Sequence, residues 1–161
     1  TIYDAFLARL QSEGGYLVSA DEKPLLQAAY WDADGHRTPD TIARAADVVA
    51  AKAGFRIPAD KTFLIVEEER IGKAHLFSTE KLGTVLAIFK YTGFETLVDM
   101  LTAIFDVGGK GHSLGIASFN DALIHRLAMT APASRMMVRQ PNASGKAGSV
   151  TNGIPMTASA G

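Results

Sequence analysis

Apolar residues recur along this chain with two different periods, and the two periods alternate. A nearly continuous apolar run from Val85 to Phe89 is typical of a strand buried on both faces. The following apolar residues, from Phe94 to Phe105, recur at three and four positions, the period of a helix with one buried stripe. Gly108 and Gly109 are expected to end this helix, and residues 113–118 predict the next strand. The segment is therefore predicted to form a βαβ unit.

The same alternation extends over the rest of the chain. Asp21 and Asn120 are suitable helix caps, and Thr38-Pro39 is a strong helix start because proline needs no backbone donor in the first turn. We predict an α/β fold, a three-layer sandwich with a mostly parallel sheet and helices on both faces, in one domain over residues 1–161. The other predicted helices cover 2–13, 22–30, 38–53 and 120–127, and the other predicted strands cover 16–18, 62–66 and 135–138.

Composition narrows the function classes more than the fold. A net charge of -1 gives no electrostatic case for nucleic acid or an anionic membrane surface, and no apolar run approaches the roughly 20 residues of a membrane helix. The chain has no cysteine, which excludes disulfides, thiolate metal sites and a thiol nucleophile within it. A cytoplasmic setting follows as the default. Because Thr1 is not an initiator methionine and a helical stripe begins at once, we expect a piece of a longer polypeptide.

Two polar residues at the turns of the predicted βαβ unit are candidates for chemistry. Glu80 precedes the first strand, where a carboxylate can face a crevice, although an exposed loop glutamate is the simpler interpretation. His112 ends the run G-G-K-G-H, whose glycines allow close approach to a ligand. This run is neither a dinucleotide fingerprint nor a P-loop, because its glycines follow a helix and precede a strand. His112 can exchange a proton or be a structural histidine.

A third candidate is Arg139, at the carboxyl end of the last predicted strand and followed by Gln140, Pro141 and Asn142. A guanidinium there is suited to a forked contact with an anionic group, and an interdomain salt bridge is the alternative. No metal site is predicted. The run Asp32-Ala33-Asp34-Gly35 lacks the later ligand positions of a calcium loop and is interpreted as a surface turn.

These landmarks, in order, resemble a known family. E-K-L-G-T-V-L, then G-G-K-G-H-S, R-M-M-V-R-Q-P-N and T-N-G-I-P-M-T-A-S-A-G resemble the coenzyme A-acylating branch of the aldehyde dehydrogenase superfamily. Members of that branch act on acetaldehyde, succinate semialdehyde or sulfoacetaldehyde. The resemblance covers essentially the whole chain and implies a catalytic domain truncated at both ends.

The resemblance also implies a mechanism and partners. A cysteine attacks the aldehyde, hydride passes to NAD or NADP, and the acyl group moves to coenzyme A. That cysteine and the Rossmann cofactor domain lie elsewhere in such enzymes, so the isolated chain is expected to be inactive. Its partners would be a small aldehyde, the rest of its own chain and further copies in a homo-oligomer, with no nucleic acid or membrane. The setting would be the cytoplasm, with a bacterial microcompartment as a second possibility.

Site residues follow from the same resemblance, position by position. Glu80 matches the carboxylate that holds the nicotinamide ribose hydroxyls, and Leu82 an apolar neighbour of that ribose. His112 matches an auxiliary histidine near the thiol. Arg139 stands where asparagine is common, which suggests an anionic substrate tail bound by Arg139 and Asn142, as in sulfoacetaldehyde. Thr84 replaces the usual proline. The alternatives are a non-catalytic ligand-binding or oligomerisation domain and a non-acylating aldehyde dehydrogenase.

Overall fold

The computed structural model describes residues 2–142. The T-N-G-I-P run used in the resemblance lies outside the described residues. The chain divides into two compact units, Thr1–Lys90 and Tyr91–Gly161. Both combine parallel strands with helices, which confirms the predicted α/β class. No helix between residues 2 and 142 has the length and apolar character needed to cross a membrane.

The first unit is built on a three-stranded parallel sheet in the order β1-β2-β3. The middle strand, β2, is the one buried on both faces, because Leu64, Ile65 and Val66 are all at most 1% exposed. The strand β3 was predicted to be buried on both faces, and this is wrong, since its Leu86 is 39% exposed. The elements are α1 (Ile2–Ser12), β1 (Gly15–Leu17), α2 (Glu22–Tyr30), α3 (Ala46–Lys52), β2 (Phe63–Glu68) and β3 (Val85–Phe89).

Aromatic residues of α2 and the following turns fill the core beside this sheet. Tyr30 and Phe77 are fully buried, Trp31 is 3% exposed, and the Trp31 ring meets Phe77 edge-on at 5.1 Å between centroids. Edge-on aromatic pairs stabilise a core beyond the area they bury. The rest of this core consists of aliphatic side chains from the surrounding helices and strands: Val18, Leu26, Ala29, Ala46, Val49, Ala53, Leu64, Val66 and Val85.

The helix predicted over residues 38–53 is wrong in its first half. Pro39–Thr41 forms a 3-10 turn, residues 42–45 are irregular, and the α-helix begins at Ala46. The break occurs at Ala43, whose φ of 54° is outside the helical range. Its N–H donates to the Leu82 carbonyl at 2.9 Å, so a partner distant in sequence outweighs local helix propensity.

The second unit contains a two-stranded parallel sheet, β4-β5, that is separate from the first. The predicted βαβ unit of β3, the following helix and β4 is therefore wrong, since β3 pairs with β2 and β4 pairs with β5. The strands joined by a helix and paired in parallel here are β4 and β5. The elements are α4 (Phe94–Gly108), β4 (Ser113–Ile116), α5 (Asp121–Thr130) and β5 (Arg135–Val138).

Local signals place the helix ends of this unit as expected. The Asn120 side chain accepts from the N–H groups of Ala122 and Leu123, at 3.1 and 3.2 Å, and so caps α5. Helix α4 ends at Gly108, and Gly109 follows with a φ of 99°. Arg126 of α5 makes a two-pronged ion pair with Glu95 of α4, which links the two helices.

One close approach in the first unit yields a testable prediction. A Cβ at Gly83 would overlap the hydroxyl of the fully buried Tyr30 and lie 3.5 Å from Tyr30 Cζ. That hydroxyl has no hydrogen-bond partner among the described residues. We expect Gly83→Ala to lower the free energy of unfolding by about 1–3 kcal/mol through overpacking. In the Tyr30→Phe background the loss should shrink, because the overlapping oxygen is gone. The two remaining neighbours, the Thr41 carbonyl oxygen at 3.4 Å and the ring carbon Cζ at 3.5 Å, are at ordinary contact distances.

Urea unfolding of the four proteins of this double-mutant cycle measures the coupling. Gly108→Ala is the control, since an added Cβ there has no neighbour within 4 Å. It should be neutral or slightly stabilising, as alanine favours helix over glycine. Equal losses from Gly83→Ala with Tyr30 and with Phe at position 30 would contradict the packing argument.

Candidate functional site

The loop that carries Glu80 is fixed on both sides of that residue. Before it, the buried Ser78 hydroxyl lies 2.6 Å from the His75 carbonyl oxygen and accepts from Gly72 N–H. After it, Lys81 folds back, and its Nζ donates to the carbonyl oxygens of Phe77 and Thr79 at 2.8 and 2.7 Å. The backbone at Glu80 therefore lies inside a closed set of hydrogen bonds, while the Glu80 side chain stays 49% exposed.

Leu82 occupies a left-handed backbone conformation in the same loop. Its φ is 45°, a value that costs a non-glycine residue free energy and persists only where surrounding contacts impose it. The contact that imposes it here is the Ala43 N–H bond to the Leu82 carbonyl, and Ala43 is itself left-handed. The Leu82 side chain is 49% exposed. The structure therefore presents Glu80 and Leu82 together on one strained, anchored loop.

Arg37 is a neighbour of Glu80 that the sequence did not reveal. Its Nη1 lies 3.7 Å from Glu80 Oε2, and its side chain is 26% exposed. Arg37 and Glu80 are 43 positions apart in the sequence. No local motif connects them. A single sequence carries no signal for such a pair, since the antiparallel bridge between Trp31 and Arg37 sets the position of the arginine.

The Lys81 ammonium is the most perturbed cation of this loop. Burial lowers the pKa of Lys81 to about 8, with the nearby Glu80 carboxylate opposing that shift. Removing charge from the amine leaves two N–H donors, which still match the two carbonyl oxygens that Lys81 contacts. The loop can therefore keep its hydrogen bonds in either protonation state.

The turn at Asp32 is a surface turn, as interpreted from the sequence. Asp32, Asp34 and His36 are exposed and bring potential ligand atoms within 4.8 Å of one another. The Asp32 Oδ1 atom already accepts from the N–H groups of Asp34 and His36, at 3.0 and 2.8 Å. The bond from His36 N–H is the main cause that lowers the pKa of Asp32. The Asp32 carboxylate therefore stabilises the turn through these two bonds.

A groove of about 590 Å³ lies beside this turn. Its walls include Lys23, Trp31 and Leu76, but Glu80 does not line it. This groove and the carboxylate predicted to bind a cofactor are therefore different places. The Glu80 loop combines an anchored backbone with a charged partner, Arg37, whereas the groove is open to solvent.

His112 lies in the second unit, at a corner shaped by glycine. Gly109 and Gly111 have φ values of 99° and 93°, and His112 immediately precedes β4. Gly111 N–H donates to the Pro132 carbonyl at 2.8 Å, and the His112 carbonyl accepts from Ser134 N–H at 3.1 Å. The backbone is thus fixed by the loop before β5, while the imidazole is exposed. This arrangement positions a solvent-accessible imidazole on a rigid corner.

Arg139 and Asn142 lie at the carboxyl ends of the paired strands β4 and β5. The Arg139 N–H donates to the Ile116 carbonyl at 2.9 Å, and its φ is 54°. Its guanidinium lies 3.6 Å from Asp121 Oδ1 and 5.5 Å from the centre of the highly exposed Phe119 ring. This ion pair lies within the second unit, and the interdomain salt bridge considered as the alternative for Arg139 stays a prediction. Asn142 lies over Gly115, where an added Cβ would be 3.8 Å from Asn142 Cβ.

Several known proteins are similar to this chain over almost its whole length. No protein-family model matches the chain. A sulfoacetaldehyde dehydrogenase of an Acholeplasma species is 36% identical over 165 residues, covering 100% of this chain and 34% of the relative. An acylating sulfoacetaldehyde dehydrogenase of Bilophila wadsworthia is 32% identical, covering 99% of this chain and 35% of the relative. The solved acetylating aldehyde dehydrogenase of Geobacillus thermoglucosidasius is 30% identical with a TM-score of 0.88, covering 94% of this chain and 33% of that one.

The homologues of this chain are acylating aldehyde dehydrogenases. The resemblance drawn from the sequence motifs is confirmed. The chain spans about one third of the length of these acylating aldehyde dehydrogenases.

More distant structures share the fold of this chain. A propionaldehyde dehydrogenase from a Clostridium phytofermentans microcompartment is 21% identical with a TM-score of 0.74, covering 89% of this chain and 33% of its own. An engineered glycolyl-CoA reductase with bound NADP+ is 16% identical with a TM-score of 0.77, covering 90% and 32%. The Rhodopseudomonas palustris propionaldehyde dehydrogenase with bound propionyl-CoA is 16% identical with a TM-score of 0.78, covering 90% and 31%. At identities of 16–21%, these structures show a shared fold and nothing further.

The pKa of Lys81 predicts how stability depends on pH. Between the folded-state pKa of about 8 and the ordinary value of 10.5, the unfolded chain holds a proton that the folded chain has released. Stability from this group therefore rises with pH across that window, and the burial penalty is fully present below pH 8. Lys81→Met should remove the rise. Urea unfolding at several pH values between 7 and 10 measures it, with the exposed Lys73→Met as the control.

Three tyrosines compete at the upper end of that pH range. Burial and the hydrogen bond to Glu67 raise the pKa of Tyr3 from 10.0 to about 12, and the pKa values of Tyr16 and Tyr30 are raised as well. Their unfolded forms release protons first, so these groups lower stability as the pH rises through about 10. Comparing the pH slopes below about pH 9, where an unfolded tyrosine is still protonated, separates Lys81 from them. If Lys81→Met and wild type show the same pH slope, the perturbed pKa is wrong.

Proposed function

We propose that this chain is the catalytic-domain part, residues 1–161, of a coenzyme A-acylating aldehyde dehydrogenase that acts on an anionic aldehyde of the sulfoacetaldehyde type. The observation that carries the proposal is the 36% identity to a sulfoacetaldehyde dehydrogenase along the entire chain. The intact enzyme oxidises the aldehyde with NAD or NADP and transfers the acyl group to coenzyme A. The nucleophilic cysteine and the Rossmann domain belong to other parts of the polypeptide.

Glu80 is the residue we assign to the nicotinamide ribose. An ionised carboxylate accepts two hydrogen bonds and so matches a diol, and the half-exposed Glu80 side chain is accessible to one. The anchored backbone on both sides supports this assignment, because a binding group held by rigid neighbours loses less entropy on binding. Leu82 supplies an exposed apolar surface two residues further along the same loop. When bound, NAD or NADP supplies the hydride acceptor, and coenzyme A supplies the acyl acceptor.

His112 is assigned an auxiliary role in proton transfer. A neutral imidazole can accept the proton of the coenzyme A thiol as that sulfur attacks the acyl group. The rigid glycine corner and the exposed ring support this role, since the ring is accessible and its backbone is fixed.

Arg139 is assigned to the anionic end of the substrate, with Asn142 as a second polar contact. Both follow the carboxyl end of a parallel strand, where ligands of α/β proteins commonly bind. Three relatives named for sulfoacetaldehyde support a sulfonate as the anion. The Asp121 carboxylate competes for the same guanidinium at 3.6 Å, so its charge is expected to weaken substrate binding.

The wider setting follows the family. We propose a homo-oligomeric enzyme that works in the cytoplasm, with a microcompartment as the second setting because a structural neighbour comes from one. Neither nucleic acid nor a membrane is proposed as a partner.

The direct test is the full-length enzyme assayed for NADH or NADPH formation from sulfoacetaldehyde and from acetaldehyde, with and without coenzyme A. We expect coenzyme A-dependent oxidation, and no activity from the 161-residue chain alone. Glu80→Gln should raise the KM for the dinucleotide about tenfold or more, since hydrogen bonds to a charged group contribute about 1.5–3 kcal/mol. Glu69→Gln, at an exposed glutamate of the same unit, is the control. Oxidation that ignores coenzyme A would favour the non-acylating branch.

Substrate charge preference tests Arg139 separately. In the full-length enzyme, Arg139→Asn should lower kcat/KM for sulfoacetaldehyde relative to acetaldehyde by about 10- to 100-fold. Asp121→Asn should change the same ratio in the opposite direction, because it removes the carboxylate that competes for the guanidinium. Steady-state kinetics on both aldehydes measures the ratio. An unchanged ratio in Arg139→Asn would remove Arg139 from the substrate site.

A further inference from the structure

Arg37 projects from a turn that is rooted in the core. Trp31 and Arg37 form an antiparallel bridge, and Thr38 N–H donates to the Tyr30 carbonyl at 2.9 Å. Tyr30 is fully buried and Trp31 is 3% exposed. The backbone at Arg37 is therefore held by buried residues of the core, which restricts where its guanidinium can lie.

The Arg37 guanidinium is only partly satisfied there. Its Nη1 atom is buried and makes no hydrogen bond to any described residue. Its ion-pair partner is Glu80 Oε2, at 3.7 Å, a distance longer than a hydrogen bond. A small rotation of the half-exposed Glu80 side chain would bring the two atoms into hydrogen-bond range. Such contacts are often long in a free enzyme and shorten in the complex.

A carboxylate that binds a ribose diol is helped by a nearby cation, and Arg37 is in that position beside Glu80. Binding a diol takes the Glu80 carboxylate partly out of water, and the free-energy cost of burying a charge is smaller when a cation is close. Arg37 is permanently charged and contacts Oε2, and the second carboxylate oxygen remains for a hydroxyl. Lys81, next in sequence, cannot fill this role in the same way, because its ammonium is directed at the carbonyl oxygens of Phe77 and Thr79.

We propose that Arg37 is a positioning residue that orients the Glu80 carboxylate for the hydroxyls of the nicotinamide ribose. This inference rests on the proposed function of Glu80. Arg37 acts through the carboxylate and makes no contact with the reacting atoms. The affinity for NAD or NADP should therefore depend on Arg37 only while Glu80 is ionisable.

The test is a double-mutant cycle in the full-length enzyme, with the dissociation constants for NAD and NADP measured by titration calorimetry. Arg37→Gln should weaken binding of the dinucleotide about tenfold and Arg37→Lys by less, while kcat at saturating dinucleotide does not fall and the KM for the aldehyde is unchanged. In the Glu80→Gln background, Arg37→Gln should change the dissociation constant less than twofold. Arg56→Gln, at an exposed arginine of the same unit, is the control for lost surface charge.

The outcomes separate this inference from the proposed function. Equal weakening by Arg37→Gln with and without Glu80 overturns the inference, because Arg37 would then act independently. Wild-type dinucleotide affinity in Glu80→Gln overturns it too, even if the enzyme oxidises aldehydes with coenzyme A. A general loss of stability, seen as a lower melting temperature together with lower kcat, would assign Arg37 a structural role. Absence of coenzyme A-dependent activity in the wild type instead contradicts the proposed function, and the binding cycle still decides Arg37.

Discussion

The first unit depends on a strand that is paired on both edges and buried on both faces. The backbone hydrogen-bonding groups of β2 that face a neighbour find their partners in β1, β3 or the flanking residues Val18 and Thr84, because no water can replace a partner inside the core. The register Leu64 with Val85 fixes where β3 starts, and hence where the loop before it ends. Gly83 then has to pass directly over the Tyr30 hydroxyl. The position of Glu80 is thus a consequence of sheet register and of one close packing contact.

Local chemistry predicted the elements well where the deciding contacts are local. The cap at Asn120, the end of α4 at Gly108 and the strand Arg135–Val138 match the sequence expectation, because each depends on residues within a few positions. The break at Ala43 could not be predicted, since it is imposed by Leu82 nearly forty positions away. The predicted pairing of β3 with β4 was wrong for the same reason. An apolar run shows that a strand is buried but does not specify its neighbour.

The residues of the candidate site also differ in whether the sequence alone could indicate them. Glu80, His112 and Arg139 were candidates because of their places at turns and at a strand end, whereas Leu82 and Asn142 were assigned through the family resemblance. The roles of all five residues are proposals. Arg37 came from neither, because the pairing with Glu80 appears only when the turn at Trp31 and the loop after Ser78 fold beside each other. Arg139 shows the converse case. Its position at a strand end was predictable, but the competing Asp121 carboxylate was visible only in the fold.

The parallel pairing of the three strands also sets an unequal entropic cost on the two edges of the sheet. Leu64 pairs with Val85, 21 residues further along the chain, whereas Gly15 pairs with Phe63, 48 residues further along. Loop-closure entropy grows with the logarithm of length, so the β1 edge costs about 0.7 kcal/mol more to close. It also gains less, since β1 has three paired residues and β3 has five. The edge that carries the Glu80 loop is therefore the one whose closure the chain favours, and β1 is the edge that opens at the lower free energy.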